Sequence, residues 1–167
     1  LVTGAGGFIG SHLVEALVEE GASVRALVRY NSRNDRGMLA TVEPRVMKEV
    51  EVVAGDVTDQ FQMHRLVAGC DTVFHLAALI GIPYSYHAPA SYVATNVSGT
   101  LNLLEAARRS SSRRFVQVST SEVYGSAQSV PMDERHPLHP HSPYAASKMA
   151  ADEMALHGVA TTTPSTP

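Results

Sequence analysis

The sequence predicts an α/β fold in which a doubly wound parallel sheet carries helices on both faces. Two observations support this prediction. Short apolar runs of strand length alternate with segments whose apolar residues recur at helical spacing, as in repeated βαβ units. A glycine-rich segment over 4–10 joins the first predicted strand to the first predicted helix.

The predicted strands and helices alternate along the chain up to residue 157. Strands are predicted over 2–3, 23–28, 50–54, 72–77 and 114–119, and helices over 9–20, 59–68, 91–109 and 144–157. Gly21 is placed to end the first helix, and Thr58 or Asp59 to cap the second. The run 72–77 is mostly apolar, as expected of a central strand covered on both faces.

Three long segments without strand or helix pattern leave the carboxyl ends of predicted strands. They cover 29–48, 78–90 and 120–142. Ligands of open parallel sheets bind at this edge, so we expect these segments to determine specificity. The last segment contains three histidines, for which we expect a solvated loop and no metal site, because no regular element holds them in ligand geometry. They are His136, His139 and His141.

Composition and charge restrict the class of protein. The 167 residues, 44% of them hydrophobic, are enough for one domain with a core. A net charge of −3 offers no basic surface for nucleic acid. No apolar run approaches the roughly 18 residues that span a membrane. The single cysteine, Cys70, excludes an internal disulfide framework and favours a reducing, cytoplasmic location.

Both ends of the sequence indicate a piece of a longer chain. Leu1 already lies inside the first predicted strand, so an upstream targeting segment stays open. Residues 158–167 are polar, rich in Thr and Pro, and without helix or strand pattern. We therefore expect a dinucleotide-binding domain over 1–157 and an irregular tail over 158–167.

The glycine-rich segment has the spacing of a dinucleotide phosphate cradle. Gly4, Gly7 and Gly10 follow a strand and open an amphipathic helix. Gly4 permits the tight turn, Gly7 leaves room for a pyrophosphate, and Gly10 lets the helix approach the sheet. The start of that helix would offer unpaired N–H groups to phosphate. A glycine-rich turn without function is the alternative.

The end of the second predicted strand bears on the choice between NAD and NADP. Residues 28–31 contain no carboxylate for a ribose diol. Arg29 can face a 2′-phosphate, helped by Ser32 or Arg33, or it can simply face solvent. Asp56, after the third strand, is placed to bind the adenine edge or to cap the next helix. These residues favour NADP over NAD without deciding between the two cofactors.

An acid/base pair is predicted on the last helix. Tyr144 and Lys148 are four residues apart and share a helix face. A nearby ammonium group and a positive nicotinamide ring would lower the pKa of the tyrosine. Tyr144 would then take a hydroxyl proton while hydride leaves the same carbon. The alternative is an ordinary surface helix.

The segment after the fifth predicted strand supplies two further polar side chains. Thr120 is placed to hydrogen-bond the substrate oxygen that Tyr144 deprotonates. Glu122 is placed to act as a second base on a neighbouring carbon. The alternative is a turn over 119–122 that caps itself.

In this order, the motifs resemble those of the extended short-chain dehydrogenases/reductases, within the group of nucleotide-sugar epimerases and dehydratases. The resemblance runs from Leu1 to about His157. It rests on TGAGGFIG at 3–10, GDV at 55–57, HLAA at 75–78, TNVSGT at 95–100, STSEVYG at 119–125 and YAASK at 144–148.

The resemblance implies a Rossmann-like fold, a tightly bound NAD(P) recycled within each turnover, and a nucleoside-diphosphate sugar as substrate. It implies Thr120, Tyr144 and Lys148 as the catalytic trio, with Ala77 and Ala78 in the nicotinamide pocket. The cofactor-binding residues would be Gly4, Gly7, Phe8, Ile9, Gly10, Arg29, Asp56, Val57, Leu76, Ala77, Ala78, Tyr144 and Lys148. A homodimer through helices 91–109 and 143–157 is expected. So is a C-terminal substrate domain that these residues lack, which makes the fold C-terminally truncated.

Glu122 distinguishes activities within the group. The resemblance implies that 4,6-dehydratases use a glutamate here to take the C5 proton, whereas relatives of UDP-galactose 4-epimerase generally lack it. Ser121 is shared with GDP-mannose-type dehydratases and UDP-glucuronate decarboxylases. Residues 79–86 resemble bacterial dehydratases of N-acetylhexosamine nucleotides. We expect a 4,6-dehydratase of an NDP-N-acetylhexosamine or NDP-hexose; a 4-epimerase, a decarboxylase and a non-catalytic redox sensor are the alternatives.

Overall fold

A parallel sheet forms the centre of the molecule. The computed structural model describes residues 1–110 and 112–157, and the predicted tail over 158–167 lies outside them. Among the described residues the sheet has five strands in the order β3-β2-β1-β4-β5, all parallel. The strands are β1 Val2–Thr3, β2 Val24–Arg29, β3 Val50–Gly55, β4 Thr72–His75 and β5 Arg114–Gln117. The predicted doubly wound, Rossmann-like sheet is confirmed.

Helices connect the strands and cover the sheet. They are α1 Phe8–Glu19, α2 Pro44–Met47, α3 Gln60–Val67, α4 Ile82–His87, α5 Pro89–Tyr92, α6 Gly99–Arg109 and α7 Pro143–His157. Short 3₁₀ turns cover Gly37–Thr41 and Ser121–Tyr124, and a π-helical segment, Val93–Ser98, joins α5 to α6.

The ends of the first two long helices follow the predicted signals. Gly21 has φ +81°, and its N–H donates to the Val18 carbonyl while the N–H of Ala22 donates to the Leu17 carbonyl. This pair of bonds is a Schellman motif, which satisfies carbonyls left free at the end of α1. Asp59 caps α3, because its carboxylate accepts from the Gln62 N–H at 3.0 Å.

The core lies on both faces of the sheet, because alternate side chains of each strand point to opposite sides. On β2, Leu27 packs with Met63 and Leu103, which belong to α3 and α6. Its neighbour Ala26 packs on the other face with Val14 of α1. Both faces of the strand are therefore buried at its centre, which explains the apolar run over 26–28.

The structure corrects several predicted element boundaries. β4 and β5 each end two residues earlier than expected, at His75 and Gln117. The segments 29–48 and 78–90, predicted to be irregular, contain short helices. The single helix predicted over 91–109 is a continuous run of α5, π-helix and α6.

The carboxyl ends of the strands meet along one edge of the sheet. Thr3 is in register with His75, and His75 with Gln117. The segments that leave these ends therefore begin side by side, next to the start of α1. Within the described ranges no helix is long and apolar enough to cross a membrane.

Candidate active site

An open cleft of about 640 Å³ lies along the carboxyl edge of the sheet. All three long segments contribute to its walls, through Arg29, Ala78 and Thr120 among others. Every residue of the predicted cofactor-binding set lines this cleft. The volume is within the usual range for a cofactor or small-ligand site.

The glycine-rich turn forms one end of the cleft. Gly4 has φ +68°, and a Cβ at this position would lie 2.8 Å from the Ala77 nitrogen. At Gly10 a Cβ would collide with the Gly4 carbonyl oxygen and lie 2.9 Å from the Ala5 Cα. Both glycines are therefore required by the packing of the turn against the sheet and α1.

Gly7 is different, because its free side faces the cleft. An added Cβ would contact only the Gly4 carbonyl oxygen, at 3.3 Å. Gly7 is also the N-cap of α1 and provides no side-chain cap, so the N–H groups at Phe8 and Ile9 stay open to a ligand. An uncapped helix N-terminus beside a bare backbone fits the pyrophosphate of a dinucleotide.

The part of the cleft beside the ends of β2 and β3 contains Arg29 and Asp56. Arg29 is exposed at the end of β2. The loop after it is folded around the carboxamide of Asn31, whose oxygen accepts from two backbone N–H groups, at Arg33 and Asp35. Asp56 accepts from the hydroxyl of Thr58 at 2.8 Å. Its alternative role as the cap of α3 is not observed, because another side chain holds that position.

Tyr144 and Lys148 lie in the first two turns of α7 and also line the cleft. Tyr144 is 8% exposed and Lys148 is 6% exposed, so the alternative of an ordinary surface helix is wrong. The Lys148 ammonium donates to the Val118 carbonyl at 2.6 Å. Burial lowers the pKa of Lys148 below its ordinary value of 10.5, and the negative charge of Asp152 partly opposes this effect.

Asp152 belongs to a polar cluster one turn after Lys148 on α7. Its carboxylate accepts a hydrogen bond from the Ser119 hydroxyl. Burial raises the pKa of Asp152 above its ordinary value, and the hydrogen bond from Ser119 and the charge of Lys148 act in the opposite direction. The cluster ties α7 to the segment that follows β5.

A buried aromatic pair supports the catalytic tyrosine candidate. The Tyr92 ring packs edge-on against Tyr144, with 6.3 Å between ring centroids. The Tyr92 hydroxyl donates to the Gly81 carbonyl at 2.6 Å. Tyr92 therefore holds both the Tyr144 ring and the loop after β4 at the wall of the cleft.

Thr120 and Glu122 are in different surroundings. Thr120 lines the cleft, and its hydroxyl oxygen accepts from the Glu122 N–H at 3.3 Å, which leaves the hydroxyl proton free to donate. The self-capping turn is therefore present as well. Glu122 is exposed and lies outside the lining of the cleft.

The expectation of a solvated histidine loop is wrong for His136. This residue is 6% exposed, its Nε2 accepts from the Gln128 N–H at 2.9 Å, and its Nδ1 faces the Pro137 carbonyl at 3.0 Å. His139 and His141 are exposed. Over 1–110 and 112–157, no group of side chains is arranged to hold a metal ion.

Two buried polar residues behind the cleft were not assigned from the sequence. The Asn96 carboxamide binds the backbone of Leu79 twice, accepting at 2.8 Å and donating at 3.0 Å. It also donates to the Ser147 hydroxyl, which donates to the Tyr144 carbonyl. The available signal was the position of Asn96 in the TNVSGT motif, and nothing local indicated its partners.

Residues 1–161 match the family model described as GDP-mannose 4,6 dehydratase. The chain belongs to this family. The relatives that the chain matches are nucleotide-sugar epimerases and dehydratases of the short-chain dehydrogenase/reductase type, as the sequence motifs indicated.

Individual relatives agree with this assignment. A dTDP-glucose 4,6-dehydratase of Streptomyces niveus is 40% identical, over 93% of this chain and 48% of its own length. The crystal structure of DesIV, a dTDP-glucose 4,6-dehydratase from Streptomyces venezuelae, contains NAD. It superposes with a TM-score of 0.79 and 38% identity, over 92% of this chain and 49% of its own.

A further solved relative is TunA, described as an NAD-dependent NDP-hexosamine 5,6-dehydratase. It superposes with a TM-score of 0.81 and 31% identity, over 96% of this chain and 50% of its own. The chain therefore spans about half the length of the relatives it matches within the GDP-mannose 4,6 dehydratase family.

Proposed function

We propose that the protein to which this chain belongs is an NAD(P)-dependent nucleotide-sugar 4,6-dehydratase. The observation that carries the proposal is the convergence of the glycine cradle, Tyr144, Lys148 and Thr120 on one cleft. A redox sensor needs a cofactor site but no buried acid/base pair beside it, so this convergence favours an enzyme.

The proposed chemistry divides among three side chains that line the cleft. Tyr144 takes the proton of the sugar C4 hydroxyl, and the free hydroxyl proton of Thr120 hydrogen-bonds the same oxygen. The Lys148 charge stabilises the Tyr144 phenolate. When bound, the nicotinamide ring accepts hydride from C4 and later returns hydride to the sugar.

The dinucleotide would be held at three points along the cleft. Its pyrophosphate would bind at the start of α1, and Asp56 and Val57 would line the adenine site. Arg29 is available to a 2′-phosphate of NADP, whereas the named relatives with a cofactor use NAD. Measuring which of the two cofactors remains bound to the purified full-length protein decides this point.

Glu122 is proposed as the base that removes the C5 proton, after which water is lost across C5 and C6. Its exposed position supports a second candidate, because a 4-epimerase or decarboxylase needs no base there. The dehydratase proposal requires that the bound sugar, or the part of the protein outside this chain, encloses Glu122.

A panel of nucleotide sugars separates these candidates. The full-length protein is incubated with UDP- and GDP-linked glucose, mannose, N-acetylglucosamine and glucuronate, and product masses are recorded. A dehydratase gives loss of one water, a decarboxylase gives loss of carbon dioxide, and an epimerase gives a new isomer of unchanged mass. No change in any substrate would refute all three and favour the sensor.

A substitution tests the role of Glu122 directly. Glu122→Gln should still oxidise C4, seen as reduction of the bound cofactor, but should not lose water. Glu134→Gln, at another exposed glutamate in the same segment, is the matched control and should dehydrate normally. Full dehydration by Glu122→Gln would contradict the assignment.

The remaining features of the proposal concern the whole protein. We propose an NDP-N-acetylhexosamine or NDP-hexose as substrate, a cofactor domain over 1–157 and a substrate domain in the rest of the protein. The names of the relatives support the substrate class.

A cytoplasmic location is supported by the single cysteine, and fractionation of cells tests it. A homodimer is supported by Val93 and Leu101, which are exposed on the helical segment over 91–109 where the dimer is expected. Sizing of a Leu101→Glu variant tests it.

A further inference from the structure

A buried histidine stands at the end of β4, directly behind the cleft. His75 is 1% exposed, and none of the roles proposed above uses it. Its Nδ1 lies 2.7 Å from the Thr3 hydroxyl oxygen, and its Nε2 lies 3.0 Å from the Thr100 hydroxyl oxygen. Three elements are therefore joined through one imidazole: β1, β4 and α6.

The protons in this chain of hydrogen bonds can be assigned from the partners alone. The Thr100 hydroxyl lies 2.6 Å from the Asn96 carbonyl, which can only accept, so Thr100 donates its one proton there. Thr100 must then accept from Nε2–H of His75. At the other end, the Thr3 hydroxyl oxygen accepts from the Ala77 N–H at 3.1 Å.

A neutral imidazole satisfies every group in the chain. With Nε2 protonated, Nδ1 accepts the Thr3 hydroxyl proton, and no donor or acceptor is left over. A protonated imidazole would instead place an N–H against Thr3, and the buried Thr3 hydroxyl proton would lose its acceptor. Burial, together with the nearby positive charge of Lys148, lowers the pKa of His75 from 6.5 to about 3, in agreement with this assignment.

The two ends of this hydrogen-bond chain contact different parts of the site. Ala77 lines the cleft and packs against Gly4 of the glycine-rich turn. Asn96 lies in the π-helical segment, and its carboxamide forms two hydrogen bonds with the Leu79 backbone. It also donates to Ser147, on the same helix as Tyr144. These hydrogen bonds therefore connect the Ala77 backbone, at the floor of the cleft, to the helix that carries Tyr144 and Lys148.

We infer that His75 is a positioning residue: as a neutral imidazole protonated on Nε2, it fixes the floor of the cleft at Ala77 relative to Asn96 and helix α7. This inference rests on the proposed function for its catalytic consequence. The tautomer itself follows from the hydrogen-bond partners and can be tested without any substrate.

Nuclear magnetic resonance of the full-length protein, labelled with ¹⁵N-histidine, tests the tautomer. We expect His75 to show one protonated nitrogen, Nε2, and one unprotonated nitrogen, Nδ1, with shifts that stay constant from pH 6 to pH 9. Loss of these signals in His75→Gln assigns them. A proton on Nδ1, or titration of His75 in this range, would overturn the inference whatever reaction the protein catalyses.

Kinetics of threonine variants test the positioning role. With a nucleotide sugar that the wild-type protein converts, Thr100→Val should lower kcat about tenfold or more with little change in KM, because the C4 hydrogen and the cofactor are misaligned. Thr100→Ser keeps the hydroxyl and should restore most of the rate. Thr41→Val removes an exposed hydroxyl that is far from Thr100 in the sequence, and should leave turnover unchanged.

These measurements separate the two proposals. Thr100→Val with wild-type kcat would overturn the positioning role, and a change confined to thermal stability would reduce His75 to a structural residue. If the wild-type protein converts no nucleotide sugar, the proposed function fails, and the tautomer measurement still decides the assignment of His75.

Discussion

Replacing Gly7 by alanine should separate folding from cofactor binding. Gly7 has φ −81° and ψ 172°, values that alanine adopts without strain. Its added Cβ would meet only the Gly4 carbonyl oxygen, at 3.3 Å, so the free protein should change in stability by no more than about 1 kcal/mol. The same Cβ would occupy the space proposed for the pyrophosphate.

The magnitude of the binding defect follows from the hydrogen bonds that the phosphates would lose. Each bond between a charged phosphate and an N–H of the first turn of α1 contributes about 1.5–3 kcal/mol. Losing one of them weakens binding about 10- to 100-fold. The assay is titration of the cofactor-free full-length protein with NADH, followed by fluorescence, together with thermal unfolding.

Two further glycines provide the comparison. Gly10→Ala should lose both stability and affinity, because its Cβ would lie 2.9 Å from backbone atoms of Gly4 and Ala5. Gly69→Ala should lose about 1–2 kcal/mol of stability through its φ of +77°, but no affinity. Wild-type affinity in Gly7→Ala would refute the location of the pyrophosphate at the start of α1.

The remaining predictions concern the acid/base residue and the buried histidine. Tyr144→Phe should keep the cofactor bound but lower the rate of C4 oxidation about 100-fold or more, measured by stopped-flow absorbance of the reduced cofactor. The control Tyr124→Phe should react at the wild-type rate. Equal rates in the two variants would exclude Tyr144 as the base. The free energy of unfolding should fall as the pH drops below 6.5, because His75 binds a proton in the unfolded chain but not in the folded one until about pH 3. At pH 5 the free energy of unfolding should be about 2 kcal/mol lower than at neutral pH because of His75. Urea unfolding of wild type and of His75→Gln at both pH values isolates this contribution. An identical pH dependence in the two proteins would contradict a buried neutral His75.

The features that could be predicted from the sequence are those encoded locally. Gly4, Gly7 and Gly10 reveal the turn because their spacing reflects backbone constraints within seven residues. The strands and helices follow from apolar periodicity, and Gly21 ends α1 through its positive φ. The resemblance added the pairing of distant motifs, and the family match bears out that part.

The features that escaped prediction depend on contacts between distant residues. The π-helical segment interrupts a pattern that reads as one helix over 91–109, and α6 begins where Gly99 packs so closely on Val57 that a Cβ would lie 2.6 Å from it. His136 is buried, and its Nε2 accepts from a backbone N–H eight residues earlier, a partner that no local pattern reveals. The roles of His75 and Tyr92 likewise require partners that no local pattern identifies.

We propose that this chain belongs to an enzyme that oxidises C4 of a nucleotide sugar and returns the same hydride to C6. The most direct test supplies the full-length protein with its nucleotide sugar deuterated at C4 and locates the deuterium in the product by mass spectrometry and proton resonance. We expect a product lighter by one water, with the deuterium at C6. An isomer of unchanged mass with the deuterium still at C4 would refute the dehydratase proposal and identify an epimerase.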